Sequence, residues 1–381
     1  MRHPSRSTKL HISYFLDWSG LPNDGVPVKV LSQIIEWRAQ GADVELFLIL
    51  PSKDLQSWEN LDPNLKFFNY ANRIGRVFAR TRALICISLK FPSVLYLRHS
   101  IYFPWEVILI KSKSFILELN ADNNAEYKIR SRMHAFLNSL SHNTLIRSAM
   151  GVCAVTKELA EMHEDKTAKG KIRVFSNGIR ILKVEKITEK HSGINLMFLA
   201  SHLETWHGFD ILNNIAQEFP EYQFHYAGPR TDELTHSNIK QYGFLNGPVL
   251  DQLTAAMNFG IATLALYRKG LDTACPLKTS YYLSHNLPVI GNYVDSRIKP
   301  GSNFFLNLNL QINQNVKEVA PSINKFIKTW QDKKVPFESL SNFDIVKIEK
   351  DRMDFIRERI VCKEISKRSK LCEILFSGSR K

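Results

Sequence analysis

Two segments in the second half of the chain carry residue types that could bind an anion. In the first, a strand is predicted to end at Leu199, a turn of small and polar residues follows, and a helix begins at Gly208. The free backbone N–H groups at a helix start attract anions, and His207 beside them could donate a hydrogen bond to a phosphate. The alternative is an ordinary strand–helix connection that carries a surface histidine.

The second segment, residues 264–290, places Arg268, Lys269 and Lys278 near another predicted helix start. Lys278 lies in the first turn of that helix, where a positive charge opposes the helix dipole. A cation in this unfavourable position indicates an anionic ligand; the alternative is a solvated surface lysine.

Other phosphate and metal motifs are missing from the sequence. It contains neither a G-x-G-x-x-G nor a Walker A motif, so phosphate binding has to depend on helix starts and basic side chains. The five cysteines are far apart, without a CxxC or a Cys/His spacing typical of zinc. We therefore expect buried, reduced thiols and no metal site.

The elements that position these residues alternate between strand and helix. The first series starts with a strand over 10–16, a helix over 28–40 and a strand over 44–50, and the second restarts with a strand over 195–199. Between the two series, the polar segment 183–192 is predicted to be a linker. Further strands are predicted over 94–97, 115–119, 152–155, 172–175, 223–227, 260–266 and 288–291, and further helices over 130–149, 157–164, 208–219, 249–258, 276–285 and the tail 344–376. This alternation predicts two α/β domains with parallel sheets.

The formal net charge of +14 favours an anionic partner: nucleic acid, anionic lipid or phosphorylated small molecules. No nucleic-acid recognition module is present, so we expect no nucleic-acid partner. Arg73, Arg76 and Arg80 fall on one face of a predicted helix, with Ile74 and Phe78 among the apolar residues opposite. Such a helix could lie on an anionic membrane surface, although an ordinary surface helix is the alternative.

Nothing in the sequence predicts a membrane span or a signal peptide. The longest apolar run, 101–110, is about half the length of a span, and the basic segment 1–9 is followed by a short predicted strand. We expect a cytoplasmic protein, or one that is peripheral on the inner face of the cell membrane.

Several short motifs become informative through their order and spacing. They are Asp24-Gly25-Val26, Glu118-Leu119-Asn120-Ala121-Asp122 followed by Glu126, Val155-Thr156-Lys157-Glu158-Leu159, Ser176-Asn177-Gly178-Ile179, Trp206-His207-Gly208-Phe209-Asp210, and Arg268-Lys269-Gly270-Leu271 through Pro276-Leu277-Lys278. In this order they resemble the retaining GT-B glycosyltransferases, in particular the group-1-like family of bacterial exopolysaccharide, capsule and lipopolysaccharide assembly.

The resemblance implies two Rossmann-like domains with parallel sheets that face each other across a cleft. Residues 1–182 would form the acceptor-side domain and 193–343 the donor domain, while the helical tail 344–381 would pack back on the first. The implied activity is that of a hexosyltransferase. It moves a sugar from a nucleotide sugar to a saccharide or lipid-linked acceptor, with retention of configuration.

The resemblance also implies roles for individual residues. Lys278, Arg268 and His207 would meet the diphosphate and stabilise the charge that develops on the leaving nucleotide. The implied catalytic residues are Glu118, Asn120 and Lys278. The implied donor-binding residues are Gly25, His207, Gly208, Arg268, Asp272, Leu277, Lys278, Thr279 and Tyr281, and the acceptor-side residues are Arg98, Asp122 and Glu126. Neither a metal nor a cofactor is implied besides the nucleotide-sugar co-substrate.

One departure from the family pattern leaves alternatives open. The family carries two glutamates eight positions apart in the donor segment, the second of which contacts the nucleotide ribose. Thr273 and Tyr281 stand at those positions here, with Asp272 a candidate replacement for the first. The alternatives are a non-catalytic homologue that binds a sugar or another transferase, and a nucleotide-sugar epimerase.

Overall fold

In the computed structural model, the described residues are 9–59, 61–90, 93–180, 192–299, 301–312 and 314–377. Side chains are described for all of these except 130 and 366–377. Residues 183–191 of the predicted linker lie outside the described part of the chain, and the predicted domain boundaries around it stay a prediction.

The first half of the chain forms a parallel sheet covered by helices. Its strands are β1 (His11–Asp17), β2 (Asp43–Pro51), β3 (Leu65–Tyr70), β4 (Val94–Arg98), β5 (Ser114–Leu119), β6 (Gly151–Ala154) and β7 (Ile172–Val174). Its helices are α1 (Gly25–Ala39), α2 (Leu55–Trp58), α3 (Arg73–Leu89), α4 (Pro104–Lys111), α5 (Asn123–Arg130), α6 (Arg132–Ser148) and α7 (Lys157–Glu161). The strand order is β3-β2-β1-β4-β5-β6-β7.

The second half repeats this architecture. Its strands are β8 (Asn195–Leu199), β9 (Gln223–Ala227), β10 (Ile239–Gln241), β11 (Phe259–Ile261), β12 (Val289–Gly291) and β13 (Phe305–Asn307). Its helices are α8 (Phe209–Glu218), α9 (Gly247–Ala255), α10 (Leu277–Ser284), α11 (Val316–Trp330) and α12 (Ile345–Ser377). Short 3-10 turns lie at Ser52–Asp54, Glu164–Lys166, Thr205–His207, Leu266–Lys269 and Phe337–Phe343. The strand order is β10-β9-β8-β11-β12-β13, again all parallel.

Each sheet reverses its strand order once, beside its first strand. In the first sheet, β1 lies between β2 and β4, and in the second β8 lies between β9 and β11. Ligands of open α/β sheets bind beyond the carboxyl ends of the strands at such switch points. The central strands are buried on both faces, as expected for parallel sheets between helical layers.

The two faces of the first sheet have different covers. Side chains of α1 and α12 pack on one face, and those of α3, α4 and α6 pack on the other. On the α12 side, Phe355 is fully buried, and Glu349 accepts a hydrogen bond from the Trp37 indole at 2.8 Å. This packing confirms the predicted return of the C-terminal helix to the first sheet.

Several element boundaries differ from the predictions. The helix predicted over 130–149 is divided at Ser131, whose extended backbone separates α5 from α6. The strand predicted over 260–266 ends at Ile261, and a 3-10 turn at Leu266–Lys269 follows. Of the four cysteines whose side chains are described, Cys86 and Cys362 are exposed, contrary to the expectation of burial.

Helix α3 faces the opposite way from the prediction. Arg80 is buried and pairs with Glu106 at 3.0 Å, and Arg76 donates to Asp17 at 3.0 Å. Ile74 and Phe78 instead point outward, with exposures of 71% and 66%. The three arginines do share a face, but its predicted outward exposure is wrong, because internal carboxylates hold Arg76 and Arg80 against the sheet. No helix in the described part of the chain is long and apolar enough to cross a membrane.

Candidate active site

A cavity of about 1080 Å³ lies between the two sheets at their carboxyl ends. Both halves of the chain contribute to its wall. Of the residues predicted for the site, those that line it are Gly25, Asn120, Asp122, His207, Leu277, Lys278 and Tyr281. The structure thus brings catalytic, donor-side and acceptor-side candidates from distant parts of the sequence to one site.

Two helix N-termini meet at this cavity. Gly25 is the first residue of α1 and Leu277 the first of α10, and both line the wall. A Cβ atom on Gly25 would lie 3.4 Å from a methyl group of Leu277, so the two helix starts are in close contact. Neither first turn carries an acidic residue that would compensate the N–H groups. Asp24, the N-cap residue of α1, accepts from the Leu21 N–H and the Trp18 indole and makes no hydrogen bond to the helix start. The N-terminus of α10, which Pro276 precedes, therefore carries a partial positive charge that is available to an anion, whereas the Asp24 carboxylate offsets part of that charge at α1.

Lys278 and His207 lie side by side in this wall. The Lys278 ammonium is 3.2 Å from Nδ1 of His207 and 4.8 Å from the centre of the Phe198 ring. Burial lowers the pKa of Lys278 to about 7. Burial, followed by the Lys278 charge, lowers the pKa of His207 well below its ordinary value.

A neutral His207 fits a donor role toward an anion. When its Nδ1 accepts from Lys278, the ring proton resides on Nε2, where it can donate to a ligand. A bound anion would also restore the protonated state of Lys278, because an opposite charge nearby favours the charged form.

Gly208 sets the position of His207. It caps the N-terminus of α8 with φ of 78°, a left-handed conformation that glycine adopts without strain. A Cβ atom there would lie 2.8 Å from Cβ of Leu264, which is closer than real Cβ contacts. The helix predicted to begin at Gly208 therefore starts one residue later, and His207 belongs to the preceding 3-10 turn.

Arg268 is not brought to the cavity. Its guanidinium pairs with Asp210 at 2.6 Å and donates to the Thr205 carbonyl at 2.8 Å, outside the cavity wall. The neighbouring Lys269 lines the cavity instead and forms an ion pair with Glu126. Arg268 therefore lies outside the cavity in which its diphosphate contact was predicted, since the 3-10 turn directs adjacent side chains to different sides.

Glu118 lies beneath the cavity and does not line it. It is fully buried, and its Oε1 accepts from Lys29 Nζ at 2.9 Å and from Arg352 at 2.7 Å. Burial alone would raise the pKa of Glu118, but Lys29, Arg352 and Arg98 together lower it well below the ordinary value. The predicted catalytic carboxylate is thus a counter-ion for buried cations.

Lys29 connects this carboxylate to the cavity. It lines the wall and also donates to Asn120 Oδ1 at 2.7 Å. Burial lowers the pKa of Lys29 to about 8, although Glu118 opposes the shift. A buried lysine and the Asn120 amide therefore form the floor of the cavity on the side of the first sheet.

The acceptor-side candidates have mixed locations. Asp122 lines the cavity but caps α5, where it accepts from the N–H groups of Asn124 at 2.9 Å and Ala125 at 3.2 Å. Glu126 pairs with Lys269 across the cleft and joins the two halves. Arg98 lies beside Glu118 in the register of β4 and β5 and is not part of the wall.

Thr273 stands at the first glutamate position of the family that the sequence resembles, and it contacts the other half of the chain. The Thr273 N–H and hydroxyl donate to Glu158 at 2.8 and 2.6 Å, and the Asp272 N–H donates to the same carboxylate at 3.3 Å. Glu158 belongs to the first half of the chain, so this contact also bridges the cleft. Neither Asp272 nor Thr279 lines the cavity, and Thr279 is buried against the Tyr293 hydroxyl.

Tyr281, at the second glutamate position, is paired with a carboxylate. Its hydroxyl donates to Asp251 Oδ1 at 2.7 Å, and His285 Nε2 lies 3.5 Å from the same oxygen. Both Tyr281 and Asp251 line the cavity. A carboxylate is therefore present in the cavity wall beside Tyr281, contributed by α9 and not by α10.

Lys29 and Asp251 are cavity residues that the sequence predictions did not include, whereas Lys269 was named in the second anion-binding segment without a site role. Lys29 follows Gly25 by one helical turn, a spacing that places it on the same helix face and could have indicated it. Asp251 carried no local signal, since an acidic residue on an amphipathic helix is ordinarily solvated. Among the described residues, no cluster of His, Cys, Asp and Glu could hold a metal ion.

No family model and no curated protein matches the sequence. Solved structures do match the fold. Sucrose-phosphate synthase from Thermosynechococcus elongatus superposes with a TM-score of 0.67 at 11% identity, over 93% of this chain and 100% of that one. HepE of Anabaena in complex with UDP-glucose gives 0.65 at 13% identity, over 92% and 100%.

A further match is the pneumococcal O-GlcNAc transferase GtfA in complex with UDP and GlcNAc, with a TM-score of 0.66 at 10% identity, over 93% of this chain and 99% of that one. These neighbours are GT-B glycosyltransferases. The chain therefore has the predicted GT-B fold, with two parallel Rossmann-like sheets around a shared cleft.

Proposed function

We propose that the protein is a glycosyltransferase that takes a sugar from a nucleotide-sugar donor. The observation that carries this proposal is the meeting of the N-termini of α1 and α10 with Lys278 and His207 at one cavity. The GT-B neighbours support it, because HepE was solved with UDP-glucose and GtfA with UDP and GlcNAc.

The proposed reaction follows from the charge of this wall. The bond between the anomeric carbon and the diphosphate oxygen breaks, and its electron pair goes to the leaving nucleoside diphosphate. An acceptor hydroxyl oxygen forms the new bond to the anomeric carbon, and its proton passes to a phosphate oxygen of the departing nucleoside diphosphate. Lys278, His207 and the start of α10 stabilise the negative charge on the leaving group, in a site where low hydration strengthens that interaction.

We also propose the finer features that the sequence motifs imply. The transfer is of a hexosyl group with retention, to a saccharide or lipid-linked acceptor in cell-surface polysaccharide assembly such as exopolysaccharide synthesis. The protein works at the cytoplasmic face of the membrane. It requires no divalent metal, because the basic side chains and helix N-termini compensate the diphosphate. Undiminished turnover in EDTA and the anomeric configuration of the product, read by NMR, test these features.

A second candidate function is donor binding without transfer. The favouring observation is that Glu118 lies outside the cavity wall and is neutralised by Lys29 and Arg352. A protein of this kind would bind a nucleotide sugar yet neither hydrolyse it nor transfer its sugar.

The central experiment compares Lys278→Ala with Lys317→Ala. Both lysines are the second residue of a helix, α10 and α11 respectively, but only Lys278 lines the cavity. We expect Lys278→Ala to lower kcat/KM for UDP-glucose, or for the active donor in a screen, by about 30- to 1000-fold (about 2–4 kcal/mol), with unchanged folding. Lys317→Ala should match wild type.

The outcomes separate the candidates. Wild-type turnover by Lys278→Ala would overturn the assigned role of that lysine. Calorimetric binding of a donor without hydrolysis or transfer would favour the second candidate. Binding of no UDP-, GDP- or ADP-sugar by the wild-type protein would count against both.

A further inference from the structure

Helices α3, α4 and α6 form an outer layer whose exposed surface is apolar. They lie side by side over one face of the first sheet, with α4 in contact with both α3 and α6. The Trp105 indole of α4 donates to Thr81 of α3 at 3.2 Å, which fixes the two helices together. Their inward side chains fill the core, so the outward ones have no internal partner surface.

The outward residues continue as stripes along each helix. On α3, residues 74, 78, 82, 85 and 89 follow the spacing of one helix face. The apolar side chains on this outer layer, all exposed, are Ile74, Phe78, Ile85, Leu89, Trp105, Ile108, Met133, Phe136 and Leu140. Soluble proteins seldom expose apolar surface over three adjacent helices unless something covers it.

The charge of this layer is of one sign. The sequences of α3 and α6 contain no acidic residue, and the single acid of α4, Glu106, is fully buried against Arg80. The basic side chains exposed on the same helices are Arg73, Arg82, Lys111, Arg132 and Arg147. An apolar surface with cations and no exposed carboxylate is complementary to an anionic lipid interface, where aromatic and aliphatic groups insert and cations meet headgroups.

We propose that the outer face of α3, α4 and α6 docks on an anionic lipid bilayer. Apolar side chains such as Phe78 and Phe136 enter the interface, and arginines including Arg82 and Arg147 contact the headgroups. This mode differs from one in which an arginine stripe alone meets the lipid, because Arg76 and Arg80 are held by internal carboxylates.

The outer face of α3, α4 and α6 is also linked to the cleft through helix α5. The cavity-lining Asp122 caps the N-terminus of α5, and α6 follows that helix after Ser131 with Met133 and Phe136 exposed. Docking would thus bring the acceptor side of the cleft near the bilayer. The inference deepens the peripheral location and lipid-linked acceptor of the proposed function, but its test needs neither donor nor acceptor.

Vesicle cosedimentation with matched variants tests the apolar contribution. The wild-type protein should bind phosphatidylcholine–phosphatidylglycerol vesicles more tightly than phosphatidylcholine vesicles, with release by salt. Ile74→Ser with Ile108→Ser should weaken binding by at least about tenfold, since both side chains leave the interface. The control pair, Ile312→Ser with Val346→Ser, removes exposed apolar groups elsewhere and should bind like wild type.

A second pair of variants tests the charges. Replacing Arg82, Arg132 and Arg147 by glutamine should weaken binding by about fivefold for each charge. Replacing the three exposed lysines of α11, Lys317, Lys325 and Lys328, by glutamine changes the net charge equally and should leave binding near that of wild type.

Tryptophan fluorescence gives an independent readout of depth. Trp105 is the exposed tryptophan, at 47%, while the other five are buried or half-buried. Brominated phosphatidylglycerol should quench it on binding, and Trp105→Phe should abolish that quenching.

Three results would overturn the proposal: no vesicle binding, equal losses in the control variants, or a solution dimer that Ile74→Ser with Ile108→Ser dissociates. The last would assign this face to self-association. Loss of vesicle binding with donor turnover intact would separate this inference from the proposed function.

Discussion

Replacing Glu118 by glutamine tests whether this residue is a buried counter-ion or a catalytic group. The carboxylate lies 2.9 Å from Lys29 Nζ and 2.7 Å from Arg352, and all three side chains are buried. Removing one partner of a buried ion pair leaves an uncompensated charge and costs about 3–5 kcal/mol. Lys29 can reduce this cost by losing its proton, because burial already lowers its pKa to about 8. Arg352 keeps its charge, but Glu349, 3.1 Å from its Nε, still compensates part of it, so about 3–5 kcal/mol is the upper end of the expected loss.

The expected result for Glu118→Gln is a large loss of stability with donor binding retained below the unfolding temperature. A loss of about 3–5 kcal/mol corresponds to roughly 6–20 °C in the unfolding transition. The matched control is Glu358→Gln, which breaks the exposed pair with Arg173 at 3.0 Å. An exposed pair contributes about 0–1 kcal/mol, so this control should unfold close to wild type.

The pH dependence of the free energy of unfolding provides a second test of the counter-ion role of Glu118. The pKa of Glu118 is lowered in the folded state, so its contribution is complete above the pKa of the unfolded state, about 4.3, and is lost as pH falls below it. The Glu118 contribution to the stability difference between wild type and Glu118→Gln should therefore stay constant from neutrality down to about pH 4.3 and decrease only below that pH. Calorimetry and urea titration of both proteins at each pH measure this difference in the free energy of unfolding. A variant that keeps wild-type stability and loses turnover would refute the counter-ion role.

Two further predictions concern the donor side. Tyr281→Glu should weaken donor binding by about 5- to 30-fold, because a second carboxylate would face Asp251, which is 58% exposed and therefore partly screened. Adding Asp251→Asn to Tyr281→Glu should restore part of the lost donor binding. Calorimetric titration with UDP-glucose measures both variants, and tighter binding by Tyr281→Glu alone would contradict the argument. Gly208→Ala should destabilise the second half by more than about 1 kcal/mol, given the left-handed φ of 78° and the close Leu264 side chain. A thermal unfolding transition equal to that of wild type would contradict this prediction, because it would mean that the turn at 208 accommodates the added methyl group.

The sequence by itself determined the alternation of strands and helices and hence the fold. Continuous apolar runs at β2 and β8 and the amphipathic period of α1 are local properties, so they could be predicted without knowing the neighbouring elements. The starts of α8 and α10 were predicted to within one residue for the same reason, whereas α1 begins at Gly25, three residues before its predicted start at 28. These helix starts bring Gly25, His207 and Lys278 to one cavity because the carboxyl ends of both sheets face it.

Only the tertiary structure decided which way each side chain points. Helix α3 has an arginine face and an apolar face, and its period cannot say which is internal; Asp17 and Glu106, from other elements, bury Arg80. The pairing of Glu118 with Arg352 spans more than two hundred residues, and that of Tyr281 with Asp251 joins two helices. Such pairings depend on distances between elements that are remote in sequence, whereas a sequence pattern reports only the neighbours along one element.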